Sequence, residues 1–211
     1  MTELISKDIP IYCIVASGDE VHSQKALTTR DVWTKRFGFT NWNWYERIDR
    51  GIRIKNELLS YNDNLLKTMS FRVGIKQYAE AAYVLDLMAI FKKIISNDID
   101  NAIIIGHNTS LKYDIPAAYL QNDISFLRID EYKRVTKSAG LLVSKEYAIA
   151  FIDYTIKTYF ANDFTLHRFY IECMKPGDAT YKRYTAVKNN CTSNIEDLII
   201  KTDEQMHTIE V

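Results

Sequence analysis

Only three prolines and seven glycines occur in 211 residues, so the chain contains no collagen-like repeat, proline-rich spacer or flexible linker. With no internal repeat and no linker to mark a boundary, residues 1–211 read as a single domain. Cysteine is scarce as well. Cys13, Cys173 and Cys191 are odd in number and widely spaced. They form no CxxC pair and no Cys/His ligand run, which argues against structural zinc and favours free thiols in a reducing compartment. No apolar run approaches the roughly eighteen residues of a membrane span. Charges stand among residues 1–8, where a signal peptide needs an apolar stretch. A cytoplasmic protein without an integral membrane segment is therefore expected, and the glycosylation patterns at Asn108 and Asn190 are expected to be inert. Net charge is missing too, since 27 Lys plus Arg balance 27 Asp plus Glu. A general nucleic-acid binder carries a basic excess, so no nucleic-acid partner is expected. The phosphate-cradling glycine loops of kinases and dehydrogenases are absent, as is the G-x-S-x-G turn of α/β-hydrolases.

What is present suits one continuous core: 47% of residues are hydrophobic and 12% aromatic. Ile9-Pro10-Ile11-Tyr12-Cys13-Ile14-Val15-Ala16 is an unbroken apolar run ending at Ser17-Gly18-Asp19. It predicts a buried strand of a parallel or mixed sheet. A short helix is expected over residues 28–36, then a turn at Phe37-Gly38 and an aromatic strand. Alternation puts Trp42 and Trp44 on one face of that strand, with at least one of them in the core. With Tyr45 they could also offer a stacking surface to the ring of a ligand. Residues 51–70 are polar and give no assignment. A helix follows over residues 78–95, stopped by Ser96-Asn97-Asp98. Ala102-Ile103-Ile104-Ile105 predicts a second buried strand, and further strands are expected at 124–129 and 141–143. Helices are expected at 145–159 and 164–174. Such alternation indicates an α/β fold, read here as a mixed central sheet with helices on both faces. Ligands of such sheets sit beyond the carboxyl ends of the strands, here Ala16-Ser17-Gly18 and Gly106-His107-Asn108.

Five segments in order carry a family resemblance. They are the opening strand Ile9-Pro10-Ile11-Tyr12-Cys13-Ile14-Val15, the glycine-containing turn Phe71-Arg72-Val73-Gly74-Ile75-Lys76-Gln77, and the strand Asp100-Asn101-Ala102-Ile103-Ile104-Ile105-Gly106-His107-Asn108. Ser138-Ala139-Gly140-Leu141-Leu142-Val143-Ser144-Lys145-Glu146-Tyr147-Ala148 and Asn162-Asp163-Phe164-Thr165-Leu166-His167 complete the set. Across residues 9–168 this order resembles a GT-A glycosyltransferase. More narrowly, it is similar to the family of bacterial lipooligosaccharide and procollagen galactosyltransferases.

The resemblance implies a GT-A fold and transfer of a sugar from a nucleotide-sugar donor, a UDP-sugar, to a glycan or glycoprotein acceptor. It implies Mn²⁺ or Mg²⁺ as cofactor, with His107 as the metal ligand. Val15, Ala16 and Ser17 would border the nucleoside, and Asn108 and Ser138 would line the rest of the donor site. Arg72 and Lys76 would neutralise the departing diphosphate, and Asp163 would be the catalytic base. Two departures stand out. Gly106-His107-Asn108 replaces the family's acidic triplet, and the histidine of the central-helix turn is missing, Ala79 being nearest. A metal held without two aspartates would be held more weakly, leaving more of the charge to Arg72 and Lys76.

Each of these residues also has a plainer reading. His107 and Asn108 suit a turn, Arg72 and Lys76 suit a solvated surface, and Asp163 suits a helix N-cap. Asp98 and Asp100 spell a literal Asp-x-Asp, but they precede their strand and so lie at its wrong end. Tyr181-Lys182-Arg183-Tyr184 interleaves cations with aromatics, as a nucleic-acid contact would, and suits a surface loop closing over a nucleotide equally well. A nucleotidyltransferase would need a basic, glycine-rich signature after the first strand, whereas Ser17-Gly18-Asp19-Glu20 is acidic. The competing class is a catalytically inactive GT-A-like module that binds a nucleotide, a glycan or a partner subunit.

Overall fold

The apolar run after Pro10 becomes a strand because side chains on both of its faces meet a packed layer. In the computed structural model, which describes residues 2–16, 20–47, 75–129, 140–154, 184–188 and 191–192, β1 (Ile11–Ala16) lies inside a sheet. Its parallel neighbours are β2 (Trp42–Arg47) and β3 (Asn101–Gly106). Beyond β3 come β6 (Leu141–Ser144), β5 (Ile124–Ile129) and β7 (Tyr184–Lys188). The order among the described residues is β2-β1-β3-β6-β5-β7. Only β6 runs against its neighbours, so the sheet is mixed, as expected.

The two-residue period of each strand divides the core in two. Tyr12, Ile14, Ile104 and Phe126 face a layer built by α2 (Ile75–Ser96) and α3 (Lys145–Tyr154). Cys13, Val15, Ile105 and Leu142 face the opposite layer, built by α1 (Glu20–Phe37). β4 (Ser110–Leu111) and β8 (Cys191–Thr192) pair antiparallel and extend that second layer, with Leu111 and Cys191 buried in it. Helices thus cover both faces of an α/β sheet.

α1 begins eight residues before the expected start at Thr28, a correction to the sequence expectation. Its first two turns bury only Ala26, too little apolar content for the helical period to show. From there Ala26, Thr29, Trp33 and Phe37 recur at three- and four-residue steps and face the sheet. The helix stops at Gly38, whose φ of 80° is the left-handed geometry of a helix C-cap, with its N–H donating to the Thr34 carbonyl at 3.0 Å. α2 stops in a related way. Asp98 takes φ 54°, its N–H donates to the Ile95 carbonyl, and that of Ile99 reaches back to Ile94. This paired closure satisfies the last carbonyls of the helix with an aspartate where glycine is usual. α3 starts directly after β6, capped by Ser144, whose hydroxyl oxygen accepts from the Tyr147 N–H at 3.0 Å.

The strands expected at 102–105, 124–129 and 141–143 are observed within one residue at either end. Of the helix expected at 145–159, the part to Tyr154 is seen. The helix expected at 164–174 and the basic-aromatic patch at 181–183 lie outside the described residues. No helix among the described residues is long and apolar enough to cross a membrane.

Candidate functional site

After β1 the chain passes over one face of the sheet as α1, whereas after β2 it returns to β3 through α2 on the other face. Adjacent strands whose continuations part in this way leave a crevice at their carboxyl ends. Near those ends, on the α1 face of the sheet, a cleft of about 320 Å³ opens, lined by Val15, Ser23, Ala26, Leu27, Trp44 and Glu46. The register accounts for that set. Cys13 pairs with Trp44 and Val15 with Glu46, so alternation turns all four toward α1. Ser23, Ala26 and Leu27 are three- and four-residue neighbours on one stripe of that helix.

One wall of the cleft is an aromatic stack rooted in the core. Phe39 packs against fully buried Trp33 with ring centroids 5.5 Å apart, and Trp33 meets Trp42 edge-on at 6.2 Å. Trp42 lies against Trp44 at 5.9 Å with planes 22° apart. Hydrogen bonds fix the inner rings. The Trp33 indole donates to the Thr109 carbonyl at 2.9 Å, and that of Trp42 to Thr34 Oγ1 and the Phe39 carbonyl at 3.2 and 3.3 Å. Trp44, at the end of the stack, remains 41% exposed. The expectation of a core tryptophan is met in part: Trp42 is half-buried against the core, and the fully buried one is Trp33. The carboxylate of Glu46, two residues beyond Trp44, enters no hydrogen bond or ion pair among the described residues.

A second group of residues gathers at the end of β3. The His107 N–H donates to the Ile14 carbonyl at 3.0 Å, and its own carbonyl accepts from the Thr29 hydroxyl at 2.6 Å. The His107 ring meets His22 of α1 edge-on, with centroids 4.6 Å apart and planes at 84°. Asn108 is half-buried in the same turn. Val15, Ala16, His107 and Asn108 therefore share one end of the sheet.

Lys76 lies in the first turn of α2. The 22-residue α2 spans about 33 Å, against about 20 Å for a six-residue strand, and it ends beside the start of β3. Its N-terminal turn therefore projects past the carboxyl edge of the sheet, on the face away from α1. Ser17, Arg72, Ser138 and Asp163 lie outside the described residues. Asp98 and Asp100 are at the amino end of β3, as their position in the sequence implies. There Asp98 pairs with Lys145 at 2.6 Å, and the Asp100 carbonyl accepts from the Lys145 N–H. The hydrogen bond from Lys145, and then its charge, hold the Asp98 carboxyl below its ordinary range.

Among the described residues no three His, Cys, Asp or Glu side chains come together as a metal cage. His22 and His107 together offer two imidazoles, which do not fit Mg²⁺ and its demand for oxygen donors. Sequence reasoning missed His22, Ser23 and Glu46. A signal for His22 existed, because His22, Ala26, Thr29 and Trp33 follow helical spacing, and one for Glu46 lay in its alternation with Trp44. Nothing in the sequence pointed to Ser23. No family model matches the chain, and no curated protein matches it.

Proposed function

We propose that the chain is a GT-A type glycosyltransferase that moves a sugar from a nucleotide-sugar donor, a UDP-sugar, to a hydroxyl of a glycan or glycoprotein acceptor. The observation that supports this most is the cleft at the carboxyl ends of the parallel strands β1 and β2, beside the turn that bears His107. In this scheme Val15, Ala16 and Ser17 border the nucleoside, while Asn108 and Ser138 line the remainder of the donor site. As the sugar–oxygen bond breaks, negative charge builds on the diphosphate. His107, Arg72 and Lys76 answer that charge from the edge of the sheet. Asp163 accepts the proton of the attacking hydroxyl.

Release of UDP from UDP-sugars, with and without Mn²⁺, tests the proposal. Slow release without acceptor and faster release with a glycan are expected, and His107→Ala should lower turnover about 10²-fold. Release indifferent to Mn²⁺ assigns charge neutralisation to Arg72 and Lys76. Absence of turnover for every donor rejects the enzyme. A second reading, a catalytically inactive module, is favoured by the cleft itself, where the described lining residues offer a stacking surface and an acceptor but no cation. Ligand bound and recovered intact would establish it.

A further inference from the structure

We propose that the Trp44–Glu46 wall of the cleft binds an uncharged ring bearing vicinal hydroxyls, the chemistry shared by a ribose and a hexopyranose. The assignment does not depend on glycosyl transfer, because an inactive binding module would use the same two side chains. Its first basis is the indole of Trp44. One of its faces is occupied by Trp42, which is itself pinned by two hydrogen bonds, while 41% of the residue remains open to solvent. A flat apolar surface fixed in advance binds the C–H face of a sugar, or a base, with little loss of side-chain entropy.

The second basis is Glu46. It lies on the same side of β2 as Trp44, at the two-residue spacing of about 7 Å. Its carboxylate lines the cleft without a hydrogen bond or ion pair among the described residues. Two carboxylate oxygens can accept from two adjacent hydroxyls at once, and such charge-assisted bonds are strong.

The remaining lining sets the charge of the ligand. Val15, Ala26 and Leu27 are apolar, Ser23 is neutral, and no lysine or arginine is among the described residues that line the cleft. Beside the negative Glu46, a phosphate would be repelled, so the ring that enters is uncharged. A volume of about 320 Å³ lies at the small end of ligand sites, which run from about 300 to 1,000 Å³. That is room for one ring and its substituents.

The test is titration of the full chain with uridine, 2′,3′-dideoxyuridine and the methyl glycosides of glucose and galactose, followed by tryptophan fluorescence and ligand-observed NMR. Saturable binding of uridine or of a glycoside is expected, and the two arms separate a nucleoside source from a glycan source. Trp44→Ala should weaken binding at least about tenfold and Trp44→Phe only a few-fold. Glu46→Gln should weaken binding about tenfold and abolish any preference for uridine over its dideoxy analogue. Thermal melts check that each variant is folded, and Trp44→Phe preserves the test if Trp44→Ala is not. No binding up to about 50 mM, or unchanged affinity in folded Glu46→Gln and Trp44→Phe together with unchanged affinity in Trp44→Ala, overturns the assignment. UDP release measured in parallel separates this failure from failure of the transferase: turnover with no ring binding rejects the cleft assignment alone.

Discussion

Thr29 donates its hydroxyl to the main-chain carbonyl of His107 at 2.6 Å, across 78 residues of sequence. One turn further along α1, Trp33 does the same for Thr109 at 2.9 Å. Two side chains of a single helix thus hold both sides of the turn that presents His107 and Asn108 at the end of the sheet. Helix and turn are coupled in this way, so damage to either bond should be felt at the strand ends.

Thr29→Val keeps the shape of a fully buried side chain and removes its donor. It should lower the unfolding free energy by about 1–2 kcal/mol. Trp33→Phe loses a hydrogen bond and leaves a void in the aromatic stack, so a larger loss of about 2–4 kcal/mol is expected. Denaturant unfolding at constant m-value measures both. Equal stability of Thr29→Val and the parent would mean that the bond contributes nothing to holding the turn.

Gly38 and Gly140 should respond differently to alanine. At Gly38 a new Cβ would have only the Lys7 side chain nearby, at 3.8 Å, so the cost is conformational, about 1 kcal/mol. At Gly140, φ is 124° and the new Cβ would lie 3.1 Å from Leu127 Cδ1 and 3.2 Å from Leu127 Cβ. Backbone strain and overpacking add there, predicting about 2–4 kcal/mol. Thermal melts of the two variants should therefore be well separated, with Gly140→Ala the lower.

Burial pushes the Cys13 thiol up to about 12 and raises that of Cys191 as well. At pH 8 the reactive thiolate of Cys13 is then only about 10⁻⁴ of the total. Both thiols should stay unlabelled by a disulfide reagent in the native protein and react fully in denaturant, as read by peptide mass spectrometry. The sign for stability follows. A thiol kept neutral by the fold stabilises it below the unfolded value of about 8.5, and that contribution falls away as pH rises toward 12.

For the exposed pair at the opposite end of the sheet, the Lys145 ammonium holds Asp98 low, and the Asp98 carboxylate raises Lys145. The Asp98 contribution is present above the unfolded carboxylate value of about 4 and is lost as pH falls through its lower folded value. The Lys145 contribution is present below about 10.4 and is lost as pH rises through its higher folded value. The melting temperature of Asp98→Asn should accordingly trail the parent by a small, constant margin near neutrality. That margin should close at both extremes, and added salt should narrow it. A margin that stayed the same at pH 2 would dissociate it from the ion pair.

Much of the secondary structure was legible because its signals are local. The apolar run through Val15 and the one at Ala102-Ile103-Ile104-Ile105 could be read as buried strands from composition alone. Phe37-Gly38 signalled its turn through the one residue type that takes φ near 80° without strain. The first two turns of α1 were not legible. From Glu20 to Lys25 no residue is buried, so this part of the helix has no apolar stripe of its own and extends from the packed turns that follow. His22 escaped notice because its helical spacing with Ala26, Thr29 and Trp33 shows only once the helix is extended back beyond Thr28, although its ring meets that of His107 edge-on.

The sequence by itself determined which side chains point together along a strand or a helix, since periods of two and of about 3.6 residues are properties of the backbone. It therefore settled that Trp44 and Glu46 share a face, and that Asp98 and Asp100 precede their strand. Only the tertiary structure decided what those faces meet. Strand order places β1 between β2 and β3, register sets Glu46 opposite Val15, and α1 crosses over both. Such pairings join residues tens of positions apart through backbone hydrogen bonds that every residue type can make, so no local pattern encodes them. Packing of the two layers on the sheet selects the arrangement, and the cleft forms within one of them, between α1 and the ends of β1 and β2.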